Sequence, residues 1–437
     1  MKPSIKKALA SASDTRALEI GRNIIDRVPA LFSSQFPGKK AVVVCDQTTF
    51  EVAGKKVHDY FIEAGLAYTE PFVYNESKPY AEFGNVTLLE ESLQQHDAIP
   101  VAVGSGTIND LTKLASSRAG RQYMCVATAA SMDGYTAFGA SITFEGSKQT
   151  FSCPAPQVVL ADIEVIRKAP AAMTAAGYAD LFAKVTAGAD WIIADSLDVE
   201  KIDATAWAIV QDELKEALAD PVGAKEGKVE AITPLVEGLI LGGFAMQWAK
   251  SSRPASGAEH QFSHLWNMEH HVYNGEAPCH GFQVGVATLG ITRLYEEFLK
   301  VPVELLDAAT CASQWPAWNE MQKQAEDRFG NTDFLDTAIN QTRDKHISKE
   351  ELAVQVEKLK QVWPKLKEDL KNQLVAAEEV KQRLEAVGAP FEPEHIGISK
   401  ERMKETFVRS QFIRSRFTIL DIVLRIGQLT PLLNNLY

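Results

Sequence analysis

The chain has 437 residues, enough for two or three domains with a substantial buried core. Its formal net charge is −12, which argues against a nucleic-acid-binding protein, because such a protein needs a basic face to neutralise phosphates. Hydrophobic residues make up 46% and charged residues 23%, the ordinary balance of a soluble globular protein.

The sequence predicts neither a membrane span nor a secretion signal. The most apolar stretch, residues 232–249, is interrupted by Pro234, Glu237 and glycines, and the N-terminal residues lack an apolar core of signal-peptide length. The five cysteines are odd in number, irregularly spaced and without a CxxC pair, which is typical of a reducing compartment. We therefore expect a cytoplasmic protein that binds neither a membrane nor nucleic acid.

The first third of the chain alternates between short apolar runs and helical patterns. Helices are predicted near residues 50–65, 88–95 and 107–120, and strands at residues 39–46, 67–74, 97–106, 122–131 and 157–162. Short strands alternating with helices are typical of a doubly wound parallel sheet. This part is therefore predicted to be an α/β domain over residues 1–165.

The rest of the chain, residues 166–437, has helical periodicity almost throughout and is predicted to be an all-α domain. Residues 350–387 interleave charges with apolar residues at three- and four-residue spacing, and Pro364 interrupts them. This segment predicts one or two amphipathic helices.

A glycine turn follows the third predicted strand. Residues 103–110 read VGSGTIND, so that an apolar strand runs into two glycines and a helix begins at Thr107. Such a turn lets the backbone approach a phosphate, and the helix N-terminus offers N–H donors, although many tight turns carry glycines for steric reasons alone. The next strand ends in ATAASMDG, residues 127–134, and two adjacent ends with small residues predict a ligand crevice at the carboxyl edge of the sheet.

Asp46 ends the first predicted strand. A carboxylate there can accept hydrogen bonds from a ribose and would repel a 2′-phosphate, which favours NAD over NADP. Capping of the following helix is the alternative role for this side chain.

Five of the nine histidines fall between residues 260 and 280, and His260 and His264 share a helix face at a spacing of four. Two imidazoles from separate segments, with a carboxylate, make a common open catalytic metal site, so His260 and His280 are candidate ligands. The candidate carboxylate is Asp180, which lies in an apolar helical stretch where an unpaired acid is costly. A salt bridge from Asp180 to Lys184, and a structural role for the histidines, are the alternatives. The absence of HExxH and GxSxG motifs disfavours a zincin protease and a serine hydrolase.

Five segments together resemble the sn-glycerol-1-phosphate dehydrogenases, and the bacterial branch most closely. They read VGSGTIND, ATAASMDGYTA, GYADLFAKVTAGADW, SGAEHQFSHLW and CHGFQVG, in the order and spacing of that family, over roughly residues 40–300. The family lies in the iron-containing alcohol dehydrogenase and glycerol dehydrogenase superfamily, with a dehydroquinate synthase-like fold. The resemblance implies that residues 1–165 bind a dinucleotide and that residues 166–437 bind metal and substrate.

The resemblance also implies roles for individual residues. Asp180, His260 and His280 match the metal ligands, and Asp180 would also lie beside the substrate. His264 and Asp133 match residues that contact substrate, and His264 and Asp180 are the catalytic candidates. Together with Asp46, the cofactor-binding candidates are Gly104, Ser105, Gly106, Thr107, Asn109, Asp110, Thr128 and Ser131.

The implied reaction is reversible hydride transfer between NAD(H), with NADP possible, and the pair dihydroxyacetone phosphate and sn-glycerol 1-phosphate, in phospholipid metabolism. A single divalent metal (zinc, nickel or iron) would polarise the ketone. The family also implies a homodimer or larger homo-oligomer. The alternative is a dehydrogenase of an unphosphorylated polyol or of another sugar-alcohol phosphate, and the second alternative is a non-catalytic NAD- or metal-binding protein.

Two positions depart from the family pattern. Ala137 stands where a serine often contacts the cofactor, and Ala179 replaces the glycine that usually precedes the metal aspartate. A basic residue that recognises phosphate would decide between the alternative substrates. Lys184 is a candidate, for phosphate binding or for a structural pair, and spacing places no other.

Overall fold

The structure is a computed structural model that describes residues 2–76, 79–145 and 147–436. Its strands are β1 (Ala17–Gly21), β2 (Ala41–Asp46), β3 (Phe72–Tyr74), β4 (Ile99–Gly104), β5 (Met124–Ala127), β6 (Ala140–Phe144), β7 (Ser147–Phe151) and β8 (Val158–Asp162).

The helices surround these strands and then continue alone to the end of the described chain. Up to residue 249 they are α1 (Pro3–Ser11), α2 (Val28–Gln35), α3 (Gln47–Thr49), α4 (Lys55–Glu63), α5 (Phe83–Leu93), α6 (Gly106–Arg118), α7 (Ile163–Ile166), α8 (Ala171–Phe182), α9 (Lys184–Ser196), α10 (Ala204–Gln211), α11 (Leu214–Ala217), α12 (Pro221–Lys225) and α13 (Val229–Ala249). Beyond it they are α14 (Ala258–Met268), α15 (His280–Phe298), α16 (Ala308–Gln314), α17 (Trp318–Phe329), α18 (Leu335–Lys345), α19 (Lys349–Gln373), α20 (Ala377–Val387), α21 (Lys400–Arg409), α22 (Ile419–Arg425) and α23 (Leu429–Leu436).

Six strands form one parallel sheet in the order β1-β8-β5-β4-β2-β3, and β6 pairs with β7 as an antiparallel hairpin. The inner strands β4, β5 and β8 are buried along their whole length, which explains their nearly continuous apolar sequences. The predicted fold class, a parallel α/β sheet followed by an all-helical region, is confirmed.

The predicted strands coincide with β2, β3, β4, β5 and β8, although β3 is shorter than predicted. Strand β1 was missed because it is an edge strand in which Leu18 is the single fully buried residue, so it carries no apolar run. The β6–β7 hairpin was missed as well. Residues 350–387 form two helices, α19 and α20, and α19 continues through the exposed Pro364.

The strand order places a switch point at the carboxyl ends of β2 and β4. From β2 the chain adds β3 on one side and then crosses to add β4 on the other, with Val44 paired to both Phe72 and Ala102. Gly104, at the end of β4, pairs with Ala127 of β5. The glycine turn and the ATAASMDG segment therefore lie side by side, as the sequence predicted, and β2 ends at Asp46 beside them. Such a switch point is where open α/β sheets bind ligands.

The chain divides into two compact units, each with its own core. The first comprises Met1–Leu181, Thr205–Ser252 and Ala386–Gly388, and in its core α2 and α4 pack on one face of the sheet. The second comprises Phe182–Ala204, Arg253–Glu385 and Ala389–Tyr437, and its core is built from helices alone. Strands end at Asp162, close to the predicted limit at residue 165, but the functional division into residues 1–165 and 166–437 stays a prediction.

In the described part of the chain one helix, α13, is long and apolar enough to cross a membrane, judged by length and composition alone. However, 72% of its most apolar window is buried inside the protein. A core helix of a soluble protein has these properties.

Candidate metal and cofactor site

Two of the clustered histidines lie with their rings together in the helical unit. His260 is in the first turn of α14 and His280 begins α15. Their ring centroids are 5.2 Å apart and the rings are tilted by 58°. His260 is 7% exposed, so its ring is held by packing as well as by hydrogen bonds.

The orientation of His260 is set by the preceding residue. Its Nδ1 lies 2.7 Å from Oε1 of Glu259, a fully buried carboxylate that also accepts hydrogen bonds from the Gly257 N–H and the Thr186 hydroxyl. Burial raises the pKa of Glu259, but the hydrogen bond from His260 and these other donors outweigh it, so the pKa lies below its ordinary value. Against an ionised carboxylate, Nδ1 carries the proton and the ring lone pair is on Nε2, the arrangement of metal-binding histidines.

A hydrogen-bond chain sets the orientation of His280 in the same way. The amide nitrogen of Gln283 donates to the carbonyl of Pro278 and to Asn267 Oδ1, so Gln283 Oε1 is an acceptor. The Ser263 hydroxyl donates to that oxygen at 2.9 Å, and its own oxygen lies 3.1 Å from His280 Nδ1. Because the hydroxyl proton is used on Gln283, Nδ1 of His280 is the donor, and its lone pair is again on Nε2.

Asp180 is placed by a close helix–loop contact in the sheet unit. A Cβ on Gly177 would lie 2.0 Å from the Ala130 carbonyl oxygen, so only glycine allows α8 to reach this segment. One turn later, the fully buried Asp180 accepts a hydrogen bond from the Asp133 N–H at 3.2 Å. This hydrogen bond joins α8 to the SMDG segment, although Asp133 and Asp180 are 47 residues apart in sequence.

Asp180, His260 and His280 together could hold a metal ion. Each offers one ligand atom, and these atoms all lie within 4.8 Å of one another. One carboxylate and two imidazoles form a mixed oxygen and nitrogen set that suits zinc, nickel or ferrous iron. The three residues that the sequence proposed as ligands are thus brought together.

The glycine turn has both a steric and a potential binding role. A Cβ on Gly104 would lie 2.5 Å from the Cβ of Ile108, so this glycine is required for the packing of α6 against β4. Ser105 is the N-cap of α6 but its side chain caps no N–H, and Gly106 begins the helix with only the flexible Met132 side chain near its missing Cβ. The first-turn N–H groups, including that of Thr107, can therefore meet an anion.

Behind the turn, buried polar residues hold the neighbouring segment. Lys113, only 1% exposed, donates to the carbonyls of Gly134, Ala137 and Gly139, each at 3.0 Å, and lies 3.5 Å from Asp110 Oδ1. This role could not be predicted from the sequence, because a lone lysine in a helix is ordinarily exposed.

The predicted cofactor residues are placed differently from one another. Asn109 is fully buried, accepts a hydrogen bond from the Tyr123 hydroxyl and lies near the Gly134 carbonyl, so its side chain faces protein. Asp110 accepts from the Ser141 N–H, and the Thr128 N–H donates to the Gly104 carbonyl. Ser131 is partly exposed. Their roles toward a cofactor stay predictions.

Asp46 caps the helix that follows it, which was the alternative role. Its Oδ1 accepts from the Thr49 N–H at 2.7 Å, and the Thr49 side chain bonds back to the Asp46 N–H as a capping box. The cap uses Oδ1 and the backbone N–H of Asp46, so it does not exclude a ribose contact by Oδ2.

His264 lines a pocket that the sequence did not predict, together with His260. Its Nε2 is 3.1 Å from a guanidinium nitrogen of Arg414, 150 residues further along the chain. His271 contacts the Ile396 carbonyl and Arg402, so that it holds structure. The clustered histidines therefore differ in their contacts: His260 and His280 have their rings together, His264 contacts Arg414, and His271 holds structure.

Comparison with known proteins identifies the class. Residues 19–170 match the family described as iron-containing alcohol dehydrogenase. The crystal structure of a probable glycerol dehydrogenase from Sinorhizobium meliloti aligns over 97% of this chain and 98% of its own, with a TM-score of 0.61 and 15% identity, which shows a shared fold. The matching family model and the shared fold place this chain with the iron-containing alcohol dehydrogenases.

Three relatives are named glycerol-1-phosphate dehydrogenase acting with NAD(P)⁺. The protein of Halalkalibacterium halodurans is 34% identical over 299 residues, 66% of this chain and 72% of its own, and that of Pyrococcus furiosus is 34% identical over 64% and 78%. The protein of Geobacillus thermodenitrificans is 29% identical over 87% and 86%. The chain belongs to the glycerol-1-phosphate dehydrogenase family.

Proposed function

We propose that this protein is a metal-dependent, NAD(P)-linked dehydrogenase that interconverts dihydroxyacetone phosphate and sn-glycerol 1-phosphate. The observation that carries the proposal is the group of Asp180, His260 and His280. The names of the relatives support the substrate pair, and the sheet edge beside the glycine turn supports a dinucleotide.

Asp180, His260 and His280 would bind the metal, and Glu259 and Ser263 hold the two rings with Nε2 as the ligand atom. Zinc, nickel and iron all fit this donor set. When bound, such an ion polarises a ketone and lowers the pKa of the corresponding alcohol. A metal ion would compensate the charge of the fully buried Asp180, as a salt bridge from Lys184 would in the alternative.

The chain's own residues would position cofactor and substrate. The N-terminus of α6 at Gly106 and Thr107 would receive the pyrophosphate, and Asp46 the ribose, which favours NAD over NADP. The reaction adds a hydride to the ketone carbon and a proton to its oxygen. His264 would orient the substrate or move that proton, and Asp133, fixed by its N–H to Asp180, would contact substrate.

The proposed function extends to the location, assembly and domain roles of the protein. We propose a cytoplasmic enzyme of phospholipid metabolism that acts as a homodimer or larger homo-oligomer. The proposed domain roles are dinucleotide binding by residues 1–165 and metal and substrate binding by residues 166–437.

The test combines metal analysis with a ketone panel. Purified protein, loaded in turn with zinc, nickel or ferrous iron, is given NADH or NADPH with dihydroxyacetone phosphate or with dihydroxyacetone, before and after chelation. We expect chelator-sensitive turnover of the phosphorylated ketone, and loss of both metal and activity in His260→Ala and His280→Ala. Ser34→Ala, an exposed change in the sheet unit, is the control.

Other outcomes of this test would indicate a different function. Turnover of the free ketone alone would indicate a polyol dehydrogenase, and no turnover of any ketone would indicate a binding protein. Unchanged metal content in both histidine variants would remove them from the ligand set.

A further inference from the structure

A pocket in the helical unit joins the candidate metal site to a pair of arginines. It has a volume of about 370 Å³, and its lining includes His260, His264, Arg414 and Arg416. The pocket is therefore lined by a candidate metal ligand from α14 and by two positively charged side chains from a later segment. Both arginines are partly buried but reach the pocket surface.

Among the described residues, none neutralises the charge of Arg414. Its guanidinium contacts Nε2 of His264, which must be the acceptor because guanidinium only donates, so His264 is neutral there. In the described chain no carboxylate lies within ion-pair distance of Arg414, and burial alone lowers its pKa. A half-buried cation whose one hydrogen-bond partner is a neutral ring favours an anion in the pocket.

Arg416 adds a second guanidinium to the same surface. It donates to the carbonyl and the hydroxyl of Ser256, the latter at 2.5 Å. Its pKa is lowered by burial and by the nearby guanidiniums of Arg253 and Arg414, more than Glu200 and Glu259 restore it. The pocket is therefore electropositive, and an anion that bound both arginines would relieve their repulsion.

The segment that carries the arginines is held on both sides. The Ser415 N–H donates to Gln341 Oε1 at 2.8 Å, and the Arg416 carbonyl accepts from Gln261, next to His260 on α14. Arg253 donates to the Phe417 carbonyl at 3.0 Å. Because these hydrogen bonds hold the backbone of the segment, little backbone freedom is lost when an anion binds, which favours specific binding.

We propose that Arg414 and Arg416 bind the phosphate group of the substrate, with His264 beside it, and so select phosphorylated over free ketones. Planar guanidinium groups match the geometry of phosphate oxygens, and a dianion suits two of them. The inference rests on the proposed function, because it assumes that the ketone group of the substrate reacts beside the candidate metal ligand His260 in the same pocket. It supplies the phosphate-recognising group that the spacing of the sequence did not place.

The kinetic test uses Arg414→Gln, Arg414→Lys and Arg416→Gln in the metal-loaded enzyme. We expect Arg414→Gln to raise KM for dihydroxyacetone phosphate by about tenfold or more. The KM of Arg414→Lys should be intermediate, because lysine keeps the positive charge but lacks the planar, two-pronged guanidinium. The KM for NADH stays within about twofold of the parent, since the cofactor does not use the pocket phosphate site. Arg22→Gln, an exposed ion pair with Glu164, is the matched control.

A second readout needs no catalysis. Inorganic phosphate, added to metal-free protein with chelator present, is expected to raise the unfolding midpoint of the parent and of Arg22→Gln but not of Arg414→Gln. It is also expected to inhibit the parent competitively against the phosphorylated ketone.

The two proposals fail separately. A parent that reduces no phosphorylated ketone, yet is stabilised by phosphate through Arg414, would overturn the function and keep the anion site. A parent that turns over dihydroxyacetone phosphate with an unchanged KM in folded Arg414→Gln and Arg416→Gln would overturn the arginine site and keep the function.

Discussion

The side chains behind His260 and His280 matter as much as the rings themselves. Each imidazole has its Nδ1 engaged, one by the Glu259 carboxylate and the other by the Ser263 hydroxyl, so both tautomers are determined by the fold. Neither partner carried a recognisable signal in the sequence. Glu259 directly precedes His260 and Ser263 follows it by one helical turn, which are spacings that become meaningful only when the ring orientations are known.

We expect Ser263→Ala to lower the affinity for zinc or nickel by about 10- to 100-fold, because His280 loses the acceptor that fixes its tautomer and ring angle. The measurement is metal titration with a competing chelator. Ser34→Ala, whose hydroxyl contacts only the Leu31 carbonyl, should bind metal as the parent does. Equal affinity in Ser263→Ala would show that the hydroxyl does not orient His280.

Asp46 offers a way to separate two roles of one side chain. Asparagine is as good an N-cap as aspartate, so Asp46→Asn should keep the bond from the Thr49 N–H while removing the negative charge. We expect a shift of the ratio of kcat/KM values toward NADPH, with little change in stability. Asp46→Ala should show the same shift and also lose about 1 kcal/mol of stability. An unchanged cofactor ratio in both variants would leave Asp46 as a cap alone.

At the scale of elements, the site depends on how closely α8, α6 and the segment after β5 approach one another. Gly177 brings α8 against the Ala130 backbone, and Lys113 of α6 binds the carbonyls that follow Asp133. Tyr135 donates to the Ala129 carbonyl and lies 3.4 Å from that of Gly104. The SMDG motif is therefore held from two helices and from its own strand end.

We expect Gly177→Ala to destabilise the protein by about 2–3 kcal/mol, because the new Cβ would overlap the Ala130 carbonyl and push α8 away. Hydrogen exchange at residues 130–134 should rise, since the Asp133 N–H would lose its acceptor on Asp180. Gly84→Ala, in α5 with open space around it, should be neutral or slightly stabilising. Parent-like exchange and stability in Gly177→Ala would contradict the close contact.

At the scale of the whole molecule, each unit has its own organising contacts. In the helical unit, the fully buried Asp190 of α9 accepts hydrogen bonds from the Ala258 N–H of α14, the Tyr295 hydroxyl of α15 and the Ile419 N–H at α22. Burial, and after it the nearby Glu259 carboxylate, raise the pKa of Asp190 from 3.8 to about 7. One carboxyl thus connects the helices that carry the histidines to the C-terminal part of the chain.

The raised pKa of Asp190 predicts the direction of a pH effect. Between about pH 4 and pH 7 the folded protein binds more protons at Asp190 than the unfolded chain, so the stability from this group falls as the pH rises through that window. In chelator, Asp190→Asn should have a lower unfolding midpoint overall and a smaller decrease in midpoint between pH 5.5 and pH 7.5. Tyr295→Phe, which removes one donor and leaves the carboxyl titrating, should keep the decrease. Identical pH dependence in parent and Asp190→Asn would exclude this role for Asp190.

Local pattern was sufficient for most of the architecture. Burial determines where apolar residues occur along the chain, so buried faces can be predicted from the sequence. This applies to the apolar runs of β2, β4, β5 and β8 and to the amphipathic periodicity of α19 and α20. Edge strand β1 and strand β6 left weaker traces because few of their side chains enter a core. The position of the glycine turn beside the ATAASMDG segment followed from the parallel sheet alone.

The sequence by itself determined the α/β sheet and the helical region, and the density of histidines between residues 260 and 280 together with five short motifs indicated the family and the candidate ligands. Only the tertiary structure decided which partners orient those ligands, which buried lysine holds the segment after β5, and that Arg414 lies beside His264. The physical reason is that propensity and periodicity act over a few residues, whereas a charge 150 positions away reaches the pocket only because the packed helices return the chain there.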